Sequence, residues 1–353
     1  MIKILKILGI VILVILILIS IFLGYVYITE YKPKDIENLK IQNNNDNLLE
    51  IGKEYNVMTY NIGYCGLDKD QDFFMDGGKK TMPENKKIVE NNLSGIKKQI
   101  NDENLDFVLL QEVDRNSKRT YYIDEMDYLI KNENKNSTYS TFYRSNYVPY
   151  PFNETIGKVE AGQLTISNFK IDSSKRLNLP SAYKFPVRAF QCKRALQKNE
   201  FSISNSNKKL VVYNVHLEAY DKNNTRQKQL EILAKEIEKD YQEGNYVIVG
   251  GDFNQRFEEA DNSKYPILNE EYFVAPIIKK DMISENFEFV FSDKYPTSRL
   301  LNEKFTGDLK NTQLYVIDGF IFSKNIEVLN VDVKNYNFEH SDHNPVVVNF
   351  KLK

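Results

Sequence analysis

The sequence contains no tryptophan, only two cysteines and only three histidines among its 353 residues. Cys65 and Cys192 are too few for a disulfide framework, although these two could pair in an oxidising compartment. A net charge of −2 and a pI near 6.1 give no general electrostatic attraction to nucleic acid, but they leave room for a local basic groove. The apolar and charged fractions, 42% and 27%, are those of a globular protein with a sizeable core.

One long apolar run lies near the N-terminus. Residues 7–29 carry no charge and, as a helix, would measure roughly 34 Å, enough to cross a bilayer. Lys3 and Lys6 precede the run, so we expect residues 1–6 to stay in the cytoplasm and the rest to be extracellular. A cleaved signal peptide is the alternative, but its apolar region is usually shorter and ends in small residues. The pattern therefore predicts a single-pass protein of the cell membrane.

A polar stretch over residues 30–53, rich in asparagine at 43–47, is typical of a linker. Residues 54–353 then form the predicted folded domain. Apolar spacing predicts a helix over 86–101, followed by a strand over 105–110 with an acid at its end. This order indicates an α/β layer. Further strands are predicted over 164–167, 188–192 and 201–203, and a helix over 226–241 with its N-cap at 223–225.

The most informative stretch is YVIVGGDFN, residues 246–254. Its first four residues predict a short buried strand, and Gly250 and Gly251 remove side chains where we expect the chain to turn. Asp252 and Asn254 then lie at the strand end. An acid and an amide are costly to bury without a metal, a phosphate or a hydrogen-bond network.

Polar groups also lie at other predicted strand ends. His216 ends a strand over 210–217, Asp318 lies in the middle of a strand over 314–322, and His343 precedes a strand over 346–348. The complete set of candidates is Asn61, Glu112, Asn214, His216, Asp252, Asn254, Asp318, Asp342 and His343. Carboxylates without a cysteine partner suit a hard cation such as Mg²⁺ or Mn²⁺, and a histidine beside an acid suits a general base. The pattern predicts metal-assisted hydrolysis of phosphate esters.

Six motifs across residues 55–350 resemble, in order, those of the endonuclease/exonuclease/phosphatase superfamily. They are TYNIG, LLQEVD, YNVHL, GGDFN, VIDGF and SDHNPV. FMDGG at 74–78 and EAYD at 218–221 also resemble a bacterial, membrane-anchored subgroup. The resemblance implies a four-layer α/β sandwich, in which two mixed sheets lie face to face with helices outside.

The resemblance also implies roles for the candidate residues. Glu112 would hold the divalent metal, with Asn61 and Asp342 beside it. Asp252 would orient or deprotonate the attacking water, and His343, oriented by Asp318, would be the base or a phosphate ligand. The phosphate contacts would be Asn254, His216 and Asn214. Family members differ over which group takes the proton and whether one metal or two act.

Several alternatives stay open at this point. Asn61 and Asn214 could be strand-end turn formers, Glu112 and Asp252 solvated loop acids, and His340 a surface residue. The substrate could be a lipid headgroup, a sugar phosphate or extracellular nucleic acid, although no basic stripe or tryptophan-lined surface favours nucleic acid. An exported nuclease and a non-catalytic binding protein are the rival functions. No obligate protein partner is indicated.

Overall fold

The computed structural model describes residues 2–131, 133–221 and 223–353. The helices are α1 (Ile2–Thr29), α2 (Lys86–Asp102), α3 (Glu125–Ile130) and α4 (Thr225–Gln242). The strands are β1 (Ile36–Asn38), β2 (Ile41–Gln42), β3 (Glu54–Asn61), β4 (Phe107–Asp114), β5 (Asn136–Val148), β6 (Gly157–Ser167), β7 (Ile171–Asn178), β8 (Ala195–Ser202), β9 (Lys209–His216), β10 (Tyr246–Asp252), β11 (Arg256–Phe257), β12 (Ile277–Ile278), β13 (Phe287–Val290), β14 (Ser298–Arg299), β15 (Leu314–Tyr315), β16 (Asp318–Ser323), β17 (Ile326–Val333) and β18 (Val346–Leu352).

Two seven-stranded sheets form the body of the domain. Their strand orders are β1-β7-β8-β9-β10-β16-β13 and β17-β18-β3-β4-β6-β5-β2. Each sheet is mixed: β9 and β10 pair in parallel in the first, as β3 and β4 do in the second, while the other neighbours are antiparallel. The C-terminal ends of these two parallel pairs hold most of the candidate residues.

Three apolar clusters hold the layers together. The central cluster joins the inner faces of both sheets, where Phe107 of β4 and Phe201 of β8 meet edge to face at 5.2 Å. The outer face of the first sheet packs against Leu230 and Leu233 of α4. The outer face of the second packs against α2 and α3, through residues such as Leu93. Helices therefore lie outside two facing sheets, and the predicted four-layer α/β sandwich is confirmed.

The segment after α1 is not a free linker. β1 pairs with β7 on the first sheet, and β2 pairs with β5 on the second. Glu30 is buried and hydrogen-bonds to Arg188 at 2.8 and 3.1 Å and to Lys193 at 3.2 Å. Residues 30–53, expected to form a linker, are held to the domain by the pairing of β1 and β2 and by the contacts of Glu30.

Three local predictions are wrong, and a fourth is right in position but not in its contacts. Residues 187–190 form a 3₁₀ turn rather than a strand, and Asp318 begins β16 instead of lying in a strand's middle. The N-cap residue of α4 is Asn224, within the predicted range, but its side chain makes no capping hydrogen bond. The carboxylate of Asp221 accepts instead from the N–H groups of Thr225 and Arg226. Gly251 lies within β10, where a Cβ would come 1.9 Å from the Val215 carbonyl oxygen. Close approach of neighbouring chains, and not a turn, requires glycine there.

Candidate active site

The strand ends of both sheets meet around one group of polar side chains. Asp252, the last residue of β10, is in register with His216 of β9 on one side and with Asp318 of β16 on the other. Asn61 ends β3 of the opposite sheet and donates from Nδ2 to Asp252 Oδ2 at 3.1 Å. The two sheets are thus joined at the site by an amide–carboxylate hydrogen bond.

Glu112 enters the site through an irregularity in β4. Its φ of 55° is left-handed, and the register of β4 against β6 shifts between Leu110 and Val113. A left-handed non-glycine residue costs about 1–3 kcal/mol and persists where the surrounding structure holds it. The bulge turns the Glu112 carboxylate toward Asn61, whose Nδ2 lies 3.5 Å from Oε1. Asn61 Oδ1 accepts from the Gly63 N–H at 3.0 Å. This hydrogen bond fixes the amide whose Nδ2 contacts the carboxylates of Glu112 and Asp252.

His343 lies in the loop before β18 and is held by Asp318. Its Nδ1 is 2.8 Å from Asp318 Oδ2, while its Nε2 lies 3.5 Å from Asn61 Nδ2 and 3.9 Å from Asp252 Oδ2. Burial disfavours the imidazolium, but the carboxylates of Asp318 and Asp342 outweigh it and raise the pKa of His343 to about 10. These neighbouring carboxylates therefore favour the protonated form of the imidazole.

The acids themselves are crowded. Burial, reinforced by the charge of Asp318, raises the pKa of Asp252 to about 7. Burial, reinforced by the charge of Glu112, also raises the pKa of Asp342 to about 7, against the influence of His343. Both shifts have the same physical cause, since several carboxylates share a poorly solvated space. The arrangement has an excess of negative charge that a cation would relieve.

The donor set fits a divalent cation. The carboxylates of Glu112, Asp252 and Asp342 line the same region, and Oδ1 of Asp318, behind His343, is buried with no hydrogen-bond partner among the described residues. Asp252, Asp318 and His343 can each bring one ligand atom within 4.8 Å of the others. However, Asp318 Oδ2 already contacts His343 Nδ1 at 2.8 Å. Oxygen donors of this kind are typical of Mg²⁺ and Mn²⁺ sites.

His216 and Asn254 border the same group. His216 Nε2 lies 3.4 Å from Asp252 Oδ2, and its Nδ1 is buried without a partner in the described part of the chain. Burial, with the positive charge of Arg194, lowers the pKa of His216 well below 6.5. Asn254 adopts a left-handed φ of 51°, and its N–H donates to Asp252 Oδ1 at 2.8 Å. This contact orients the carboxylate that Asn61 also holds.

Asn214 does not reach the site, which corrects its predicted phosphate contact. Its side chain is completely buried between the sheets. Nδ2 donates to the carbonyls of Leu110 at 3.1 Å and Leu164 at 3.3 Å, and Oδ1 accepts from Gln111 at 2.8 Å and Gln163 at 3.5 Å. With both ends of the amide engaged, Asn214 joins the two sheets.

A cavity of about 510 Å³ lies over the polar group. Of the candidates, its lining includes Asn61, Glu112, His216, Asp252, Asn254, Asp342 and His343, and Asp318 lies behind His343. Arg194 also lines the cavity, and its Nε and Nη1 are buried with no hydrogen-bond partner among residues 2–131, 133–221 and 223–353. Sequence reasoning missed Arg194, because a single cation before a strand carries no spacing signal.

The two cysteines and His340 have no part in this polar group. Cys65 and Cys192 are both free thiols. Cys192 lines the cavity, and burial raises the pKa of its thiol to about 11. His340 is half-buried, and its Nδ1 lies 3.2 Å from Asn92 Oδ1, outside the cavity.

Two facing sheets with a carboxylate–amide–histidine group at their shared edge define the class: a four-layer α/β sandwich with an acid-rich site. The profile of the Endonuclease/Exonuclease/phosphatase family matches residues 58–343. The chain belongs to the endonuclease/exonuclease/phosphatase family, as the motifs predict, and this membership supports an enzyme that acts on phosphate esters. No curated protein sequence is significantly similar to the chain.

Several solved structures share the fold. An endonuclease/exonuclease/phosphatase from Beutenbergia cavernae DSM 12333 is 15% identical over 85% of this chain and 72% of its own, with a TM-score of 0.58. D. rerio TDP2 complexed with single-strand DNA product is 15% identical over 85% and 99%, with a TM-score of 0.51. The human nocturnin catalytic domain with bound sulfate is 17% identical over 89% and 97%, with a TM-score of 0.50. These likenesses concern the fold alone.

Proposed function

We propose that the chain is a membrane-anchored, divalent-metal-dependent hydrolase of phosphate esters. The observation that supports this most strongly is the meeting of Glu112, Asp252 and His343 at one wall of the cavity. Water would attack phosphorus, the bond from phosphorus to the leaving oxygen would break, and that oxygen would take up a proton. The substrate would be a phosphodiester or a phosphomonoester.

The proposed metal ligands are Glu112, Asn61 and Asp342, with Mg²⁺ or Mn²⁺ as the ion. The fit rests on the mutual repulsion of Glu112 and Asp342 and on the poor solvation of Asp342, which raises its pKa to about 7. Asn61 Nδ2 also orients Glu112, and Asn61 Oδ1, which accepts from the Gly63 N–H, keeps a second lone pair for the cation. When bound, the cation would neutralise phosphate charge and polarise the phosphorus–oxygen bonds.

We assign the proton transfer to His343. Asp318 fixes its Nδ1 at 2.8 Å, which leaves Nε2 directed toward Asp252 and the cavity. As a base, His343 must lose a proton that the surrounding carboxylates stabilise. Any positive charge that compensates those carboxylates lowers its pKa toward the working range. Asp252, with a pKa of about 7, is the alternative proton acceptor.

The phosphate would be held by Asn254 and His216, with Arg194 as an additional cation. His216 stays neutral in its buried position, so one of its nitrogens can donate to a phosphate oxygen without adding charge. Arg194 offers buried N–H groups that have no hydrogen-bond partner in the described residues. A guanidinium is well suited to phosphate oxygens, because its planar donors can bind two of them.

The membrane anchor is α1. Among the described residues it is the one helix long and apolar enough to cross a bilayer, and the 18-residue window with that property is unburied. The lysines before it favour a cytoplasmic N-terminus, so the domain would be extracellular in a single-pass protein of the cell membrane. An uncleaved anchor is supported by the contacts that the end of α1 makes with the domain, where Val26 is buried.

The full chain in detergent micelles should hydrolyse bis(4-nitrophenyl) phosphate or 4-nitrophenyl phosphate when Mg²⁺ or Mn²⁺ is present. EDTA should abolish this activity, and added metal should restore it. His343→Ala should lower kcat about 100-fold or more, because a positioned acid–base group contributes about 10²–10⁴. His340→Ala is the matched control, since His340 lies outside the cavity, and its activity should stay within about twofold of wild type.

Robust turnover by His343→Ala would refute this mechanism. Degradation of DNA or RNA in preference to other esters would favour the exported nuclease. A chain that neither binds Mn²⁺ in calorimetry nor turns over any of a broad set of phosphate esters would be a non-catalytic binding protein on the same fold.

A further inference from the structure

Away from its acidic wall, the cavity is lined by apolar side chains. These include Phe73, Phe142, Val148, Ile156 and Phe190. The volume of about 510 Å³ lies within the range of pockets that enclose most of a small ligand, about 300–1,000 Å³. A compact, highly charged phosphate ester would leave most of this apolar wall without contacts. The cavity is therefore suited to a substrate that carries a large apolar group next to its phosphate.

A group of exposed apolar side chains lies in and next to the cavity lining, and we call this group the collar. The collar consists of Met75, Tyr150, Phe152, Phe185 and Val187, whose exposed fractions run from 37% to 87%. Met75, Tyr150 and Val187 also line the cavity, and the Tyr150 ring contacts Phe152 at 6.0 Å. Exposed apolar patches of this kind mark contact sites for proteins, ligands or membranes.

The end of α1 lies against the same part of the domain. Its Tyr27 ring meets Phe185 of the collar edge to face at 5.9 Å. Phe22, Tyr25 and Val26 of α1 share a small groove with Phe190, and Phe190 also lines the cavity. Phe190 thus borders both the cavity and the groove next to α1.

Charged groups fix this arrangement. Glu30, directly after α1, is held by Arg188 and Lys193, and Arg188 lies next to Val187 of the collar. Lys32 Nζ lies 3.8 Å from the centre of the Tyr27 ring. Tyrosines and lysines at the end of an apolar helix are typical of the membrane–water interface. Since Tyr27 contacts the collar, the collar lies at that same depth.

We infer that the substrate is a membrane phospholipid, whose acyl chain enters the cavity through the collar while its headgroup phosphate reaches Asp252 and His343. This inference rests on the proposed function and on the anchor. In the reaction, a water oxygen bonds to the headgroup phosphorus, one phosphorus–oxygen bond to an alcohol breaks, and the alcohol oxygen takes the proton.

The absence of tryptophan from the sequence gives a direct test that does not depend on activity. Phe152→Trp places one tryptophan on the collar, and Leu329→Trp places one on β17, at the opposite edge of the sheet from β5. The full chain of each variant would be reconstituted in phosphatidylcholine vesicles whose acyl chains carry bromine. Tryptophan fluorescence should be quenched in Phe152→Trp and not in Leu329→Trp. Equal, weak quenching in both variants would overturn the inference.

The second test compares substrates. Wild type and Phe152→Asp would be reconstituted in vesicles of phosphatidylcholine and phosphatidylglycerol, with lipid cleavage followed by phosphorus NMR. We expect Phe152→Asp to lower kcat/KM for lipid about tenfold or more, because taking a phenyl group out of an apolar environment costs roughly that factor. Turnover of bis(4-nitrophenyl) phosphate should stay within about twofold. Leu329→Asp should affect neither substrate.

The outcomes separate the two hypotheses. If wild type cleaves the soluble diester but leaves the lipid of its own bilayer intact, the inference is wrong and the proposed function stands. Loss of both activities in Phe152→Asp would also overturn the inference, since the collar would then serve the domain's own packing. If wild type cleaves neither substrate, the proposed function fails and the lipid substrate fails with it.

Discussion

Replacement of Asn214 tests whether this residue serves the fold or the phosphate. In Asn214→Ala, the carbonyls of Leu110 and Leu164 lose a shared donor, while Gln111 keeps partners in Thr59 and the Leu109 carbonyl. A buried polar group that loses its partner costs about 1–3 kcal/mol, and a small void adds to that. We expect a loss of roughly 3 kcal/mol, a large part of the total for a domain with about 5–15 kcal/mol of stability.

The free energy of unfolding would be measured by urea titration of the full chain in micelles, followed by circular dichroism. Asn349→Ala is the control, because Asn349 is exposed on β18 and should change stability by about 0.5 kcal/mol at most. The kcat per folded molecule of Asn214→Ala should match wild type. Normal stability together with a weakened affinity for phosphate would show that the structural role assigned to Asn214 is wrong.

Two further predictions concern charge. The hydrogen bond from Arg188, against the opposing effect of burial, holds the pKa of Glu30 below 4.5. The Glu30–Arg188 pair therefore stabilises the folded chain above pH 4.5, and this stabilisation is lost as the pH falls through the lowered pKa. Wild type should therefore be more stable than Glu30→Gln by roughly 1–2 kcal/mol at pH 7, and the melting temperatures of the two, measured by calorimetry, should converge as the pH is lowered. A difference in melting temperature that does not change with pH would contradict the stabilising role of ionised Glu30. Arg194→Gln should raise the inhibition constant of inorganic phosphate about tenfold, because one charge-assisted hydrogen bond contributes about that factor. Arg144→Gln is the control, since Arg144 is exposed, and it should leave the inhibition constant unchanged. Equal inhibition constants in the two variants would show that Arg194 does not bind the phosphate.

The polar residues of the site could be predicted because each one marks a strand end. Parallel pairs such as β9 and β10 bring their ends together by register alone, so His216 and Asp252 become neighbours as soon as the strands are recognised. Asn214 looks equivalent in the sequence but faces the interior of the sandwich. Strand periodicity assigns Asn214 and His216 to the same face, and only the position of the opposite sheet shows which one is covered.

Other features depend on contacts that no local pattern records. Arg194 lies in the cavity lining because a turn and a strand bring it there. Residues 187–190 form a turn, although their apolar content favours a strand. The sequence marks Gly250 and Gly251 as special positions, but it does not reveal why glycine is needed there. A glycine that permits a turn and a glycine that permits close packing are identical in sequence, and Gly251 is the second kind.

The short strands β1 and β2 have a consequence for handling the protein. Each covers the outermost strand of a different sheet, β7 in one and β5 in the other. Uncovered outer strands present unpaired backbone groups and promote aggregation. A soluble fragment that begins at residue 54 would lose both covers and leave Arg188 and Lys193 without Glu30. A fragment that begins at residue 30 lacks the apolar helix but keeps β1, β2 and Glu30.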